Sequence, residues 1–135
     1  MTMRYAATLW DLEERFWTDG MDSARTGTSD ESIMIFPHPF GILQNDRTRA
    51  RQEQQNPWRS IGMTNRRLER RGDIVVLTYS VSAEKAGAPI HEAVCASTYL
   101  LDGDAWRRMS HNETPLPQGG RPAFAAHPLN SRRTE

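Results

Sequence analysis

Cysteine and lysine are the scarcest residues in this chain of 135, which has one of each, Cys95 and Lys85. A lone cysteine excludes an intramolecular disulfide and any zinc site built on several thiolates. Net charge is absent too: 17 basic residues face 17 acidic ones. That balance argues against a nucleic-acid binder working through a long-range positive field. Apolar residues make up 37% of the chain, against a usual share of about 45–50%. Such a chain builds one modest core, and a partner subunit is one way to supplement it. No apolar run approaches the ~20 residues of a membrane span, and no charged stretch leading into an apolar one opens the sequence. A reducing, cytoplasmic setting without a membrane partner is the expectation.

What is present is a sequence of helical signals followed by strand signals. Tyr5, Leu9, Leu12 and Phe16 recur at spacings of four, three and four, the stripe of an amphipathic helix, with Trp10, Glu13 and Trp17 as a neighbouring row. Asp19-Gly20 ends that helix. Residues 21–31 are small and polar, with room for a short second helix before Thr28. Residues 33–43 form two short apolar segments around Pro37-His38-Pro39. Neither proline can donate to a strand ladder, so His38 belongs to the turn and Phe36 and Phe40 flank it. Asn45 or Asp46 can cap a polar helix that Asn56-Pro57 stops. Four strands follow, over 58–70, 74–82, 90–101 and 105–113. Turns at Arg71-Gly72-Asp73, Ala86-Gly87-Ala88-Pro89 and Asp102-Gly103-Asp104 separate them. Ile74 and Val76 make the second face of the 74–82 strand apolar at its start, so part of that face should be covered, self-association being the simplest cover. Four of the eight prolines lie from Pro115 onward. The chain therefore divides into one domain over 1–114 and a Pro/Gly-rich tail over 115–135.

Helices before strands indicate an α+β fold. The order of elements, LWDLEERFWTDG, IFPHPFGIL, the helix after Asn45, WRSIGMTNRRLERRGDIVVLTYSVSA and STYLLDGDAWRRMSHNETP, resembles the nuclear-transport-factor-two-like superfamily over residues 5–115. This is the cystatin-like cone fold of ketosteroid isomerase, scytalone dehydratase and SnoaL-type polyketide cyclases, and the closer likeness is to the superfamily's uncharacterised small domains. The resemblance implies N-terminal helices over a curved, mainly antiparallel sheet, a pocket at the open end of the cone, and frequent homodimers.

Among candidate chemical groups, His111 lies on the last strand, where alternation puts Arg107, Met109, His111 and Glu113 on one face. It is either an acid–base group near neutral pH or a histidine hydrogen-bonded at a strand end. His91 shares a face with Ala93, Cys95, Ser97 and Tyr99, which form a pocket wall or a seat for a closely packed helix. His91, His111 and Glu113 place a metal site on paper only. There is no H-E-x-x-H, no cysteine pair and no calcium spacing, so neither metal nor cofactor is expected. An isomerase base has no match, since Asp73, Asp102 and Asp104 fall in turns; Tyr79 and Tyr99 supply hydroxyls. Pocket-lining candidates are Phe16, Trp17, Phe36, Phe40, Trp58, Tyr79, Tyr99, Met109 and His111. The expectation is a homodimeric domain binding a small apolar or carbonyl-bearing molecule. The alternatives are an isomerase, cyclase or dehydratase using His111, and a dimerisation module without a ligand.

Overall fold

The computed structural model describes residues 4–19, 27–37, 40–44 and 58–117. One helix, α1 (Arg4–Thr18), precedes six strands: β1 (Thr28–Phe36), β2 (Gly41–Gln44), β3 (Ser60–Arg71), β4 (Ile74–Glu84), β5 (His91–Asp102) and β6 (Ala105–Pro115). They form a single sheet in the order β2-β1-β6-β5-β4-β3. Only β1 and β6 run parallel among these pairs, and the other four pairings are antiparallel. An α+β architecture with a mainly antiparallel sheet is therefore what the chain adopts, with one described helix where several were expected. The expected helices before Thr28 and after Asn45 fall on residues outside the described ones, apart from Gly27. His38 and the tail beyond Pro117 also lie outside them.

The α1 stripe does what its spacing predicts. Leu9 and Phe16 are buried, and Glu13 and Trp17 from the neighbouring row join them. No Gly or Pro interrupts the helix, and Arg15 in its last turn suits the negative end of the helix dipole. Burying each such large apolar side chain contributes roughly 2–3 kcal/mol. One apolar cluster gathers Phe16, Trp17, Met34, Phe36, Leu43, Tyr79, Val81, Ala83, Ala93 and Cys95. A second gathers Leu9, Val75, Leu77 and Tyr99.

The turns follow from glycine. Arg71 pairs with Ile74 and Asp102 with Ala105, so the loops are Gly72-Asp73 and Gly103-Asp104. Gly72 and Gly103 have φ of 59° and 65°, the glycine-first pattern of a tight hairpin. Phe40 N–H donates to the Pro37 carbonyl at 3.2 Å where β1 hands over to β2.

Two local departures matter for the site. Strand β1 begins at Thr28, five residues before the apolar run suggests: its first residues are polar, Thr28 pairs with Arg108 of β6, and the register resumes at Ile33. In β6 the register shifts so that Ser110 faces Thr98 while Arg108 faces Tyr99, leaving Met109 as an extra residue. That bulge overturns simple alternation. Arg108, and not Arg107, shares the inner face with His111 and Glu113.

Candidate functional site: a buried polar network in the cone

Between the two apolar clusters lies a polar layer centred on Glu13, whose side chain is wholly buried. Its Oε2 accepts from the hydroxyls of Tyr79 and Ser97, each at 2.6 Å. Its Oε1 accepts from the Tyr99 hydroxyl at 2.7 Å and from Arg108 Nη2 at 3.2 Å. Each hydroxyl that donates to Glu13 accepts in turn from a further donor. Trp17 Nε1 donates to Tyr79 at 3.0 Å, and Arg108 donates to the Tyr99 oxygen. Arg108 also reaches Thr28 Oγ1 at 2.7 Å and lies 4.0 Å from the Phe16 ring centre.

The protonation of His111 follows from the same bookkeeping. Ser97 spends its only proton on Glu13, so the 2.7 Å contact between Ser97 Oγ and His111 Nδ1 requires Nδ1 to carry the hydrogen. His111 Nε2 faces Glu113 Oε1 at 3.4 Å, which also needs a donor. His111 is an imidazolium, enclosed by the rings of Phe16, Phe36 and Trp17 at 4.9, 5.6 and 6.2 Å. Burial pulls its pKa down, but hydrogen bonds and charge from Glu113 and Glu13 raise it above the ordinary value. Burial alone would raise Glu13, yet Arg108, His111 and Ser97 hold it well below the usual carboxylate range. Glu113 is likewise lowered to about 2, burial being outweighed by His111 and His91. Burial and the Glu13 charge push the Tyr79 hydroxyl well up, and that of Tyr99 is raised by burial and Glu13 against Arg108. Two carboxylates, one guanidinium and one imidazolium thus balance inside the cone.

At the cone's rim the network meets solvent. Glu113 Oε2 bonds His91 Nε2 at 2.8 Å, and the His91 side chain is 21% exposed. His91 stacks on Trp58 at 5.4 Å with planes 18° apart and lies 6.0 Å from Trp17.

Of the sequence candidates, Phe16, Trp17, Phe36 and Tyr79 fall in one apolar cluster, with Phe40 and Trp58 packed against it. Tyr99 belongs to the other cluster, and Met109 stands half-buried at the bulge, outside both. Trp17 and Phe36 are 5% and 3% exposed, so with Trp58 against them they close the cone over His111. Glu13, Ser97 and Arg108 were missed as site residues. Glu13 did carry a signal, a carboxylate flanked on its helix by Leu9, Leu12, Phe16 and Trp17. Arg108 carried none, because the bulge hides its direction.

The opposite face of the sheet is covered by no described element. Register places Ile42, Ile35, Asn112, Ala96, Thr78 and Arg67 in one row across it, and Gln44, Ile33, Ser110, Thr98, Val76 and Glu69 in the next. A solvent-open depression of about 300 Å³ lies toward the β3 side, lined by Gly62, Thr64, Ser80, Ser82, Glu92 and Leu116. Among the described residues no helix is long and apolar enough to cross a membrane, and no three His, Cys, Asp or Glu side chains gather as metal ligands.

No protein-family model matches the sequence, nor does any curated protein. Solved structures do resemble it in shape. A provisionally named ketosteroid isomerase from Parabacteroides distasonis superposes with a TM-score of 0.71 at 15% identity, over 82% of this chain and 86% of that one. An NTF2-like protein from Cytophaga hutchinsonii gives 0.71 at 12% identity, over 84% of this chain and all of that one. The association domain of C. elegans CaMKII gives 0.66 at 10%, over 84% and 94%. At these identities the likeness speaks for the fold alone. The fold of this chain is the cone fold of nuclear-transport-factor-two-like and ketosteroid-isomerase-like proteins.

Proposed function

We propose that the chain is a self-associating cone domain, a homodimer formed through the uncovered face of its sheet. The observation that carries this reading is the exposed aliphatic surface there: Ile33 is 46% exposed, Ile35 41% and Val94 42%, on a face that elsewhere presents Ala96, Thr98, Thr78 and Ser110. A two-fold interface must tolerate its own copy, and the centre of this face carries no charge. Arg67, Glu69, Arg71 and Glu92 sit at its margins, where rim charges belong. Similarity in shape to a CaMKII association domain and to a CaMKII hub from S. rosetta supports the reading. The lone buried thiol of Cys95 suits a reducing, cytoplasmic setting. Light scattering tests the proposal: wild type gives twice the 15.4 kDa chain mass, and Ala96→Arg, which points away from the core, gives the single mass. A wild type that stays monomeric at every concentration sinks it, as does an Ala96→Arg variant that stays dimeric.

A second reading is a binding domain for a small apolar or carbonyl-bearing molecule, or an isomerase- or lyase-like enzyme using His111 with Tyr79 or Tyr99 orienting the substrate. Its support is the buried ionisable cluster, since such clusters concentrate at functional sites. It requires the cone to open, because His111 is 1% exposed and its ring nitrogens are both engaged. Native mass spectrometry of protein taken directly from cells would favour it by finding a retained small molecule; bare chain mass alone would count against it.

A further inference from the structure

One strand residue has no local reason to be glycine. Gly62 lies inside β3, its φ is not in the left-handed region, and a Cβ built on it would meet nothing within 4 Å. A glycine inside a strand often marks a place where another backbone approaches closely. Here that place is the depression of about 300 Å³ on the uncovered face of the sheet. Gly62 pairs with Ser82 and Thr64 with Ser80, so small side chains line it, together with Glu92 and Leu116. The chain itself leaves the sheet at this spot. Leu116 N–H donates to the Glu92 carbonyl at 2.7 Å, and Pro117 follows with no N–H to carry the ladder further. Residues 118–135 therefore start beside the depression. Gly119-Gly120 is a reversing signal, and Arg121-Pro122-Ala123-Phe124-Ala125-Ala126 comes next, one aromatic among small residues. Each residue spans at most about 3.6 Å, which is ample for Phe124 to return over a depression that begins at Leu116.

We propose that residues 121–126 dock in this depression of their own chain, with the Phe124 ring filling it, the neighbouring backbone crossing Gly62, and Arg121 pairing with Glu92. Removing the Phe124 ring from water supplies most of the affinity. The Arg121–Glu92 pair lies at the surface and sets direction more than strength. Tethering so close to the site holds the segment at a roughly millimolar effective concentration, so modest contacts suffice. The docked segment lies at the β3 margin, whereas Ile33 and Ile35 lie on β1, so the inference goes beyond the dimer reading and stands whether or not two copies associate.

The test uses the full chain and limited chymotrypsin, with cleavage of the Phe124–Ala125 bond read by mass spectrometry. Docking shields that bond, and the cutting rate tracks the undocked population. Ser82→Trp fills the depression from the outward side of β4 and should be cut there about tenfold faster than wild type. The wild-type rate should not change on dilution, because the docked segment and its seat share one chain. Amide spectra provide a second measurement that substitutes nothing in the sheet: Phe124→Ser should displace the resonances of Gly62, Ser80 and Ser82 and leave those of Thr98 and Ser110 fixed. Equal cutting of wild type and Ser82→Trp, shielding that is lost on dilution, or unmoved Gly62, Ser80 and Ser82 resonances each overturns the proposal.

Discussion

Replacing Glu13 with Gln keeps the shape of the side chain and removes one charge. It is the most severe test of the network, because four hydroxyl or guanidinium groups converge on that carboxylate. His111 can answer the loss by shedding its proton. Arg108 cannot, since a guanidinium does not deprotonate in proteins, and its side chain is fully buried. Breaking a buried ion pair from one side costs about 3–5 kcal/mol. The new amide N–H2 also faces donors on one of its two sides. A loss of about 4 kcal/mol is expected, a large share of the roughly 5–15 kcal/mol that holds a domain together. For a chain of this size that lowers Tm by roughly 12 °C. Urea denaturation followed by circular dichroism measures the loss. The companion Glu13→Gln/Arg108→Met removes both charges and should recover at least half of it, since replacing a buried pair by apolar groups is often nearly neutral. A single-variant loss under about 1 kcal/mol, or a double variant no better than the single, would refute the reasoning.

Two further predictions concern pH and thiol chemistry. Glu113, lowered from 4.5 to about 2, contributes stability present above pH 4.5 and lost as pH falls toward 2. His111, raised above 6.5, contributes stability present below pH 6.5 and lost as pH rises through its folded value. Tm measured against pH should therefore be highest between about 4.5 and 6.5 and fall on both sides, and His111→Gln should flatten the alkaline side. Burial together with the charges of Glu113 and Glu13 pushes the Cys95 thiol up, so Ellman's reagent should leave it untouched until urea unfolds the chain.

The elements were legible where the chemistry is local. The Tyr5, Leu9, Leu12 and Phe16 stripe became the buried face of α1, and the glycines at 72 and 103 became the tight loops. The start of β1 was not legible, because Thr28 to Glu31 lack the apolar alternation of a strand. Of these only Thr28 is paired with β6, and its hydroxyl accepts from Arg108. The site was legible only in part. Tyr79, Tyr99 and His111 stood out by residue type, while their common acceptor did not. Glu13 meets its partners across 66, 84, 86 and 95 residues of sequence, so no window of sequence contains the reason for its burial. The Met109 bulge turned Arg108 inward against the alternation expected of its strand. The ionised groups inside the cone were thus set by tertiary register, whereas its aromatic lining followed from composition and period.

The closed, charge-balanced interior is tested most directly by the 15N resonances of the His111 ring in the wild-type chain at pH 6.5. With both nitrogens engaged in the Ser97 and Glu113 contacts, the ring is expected to be predominantly doubly protonated there and to remain so as pH rises above its ordinary value of 6.5. A ring that is mainly neutral at pH 6.5, or that titrates at its ordinary value, would contradict the account.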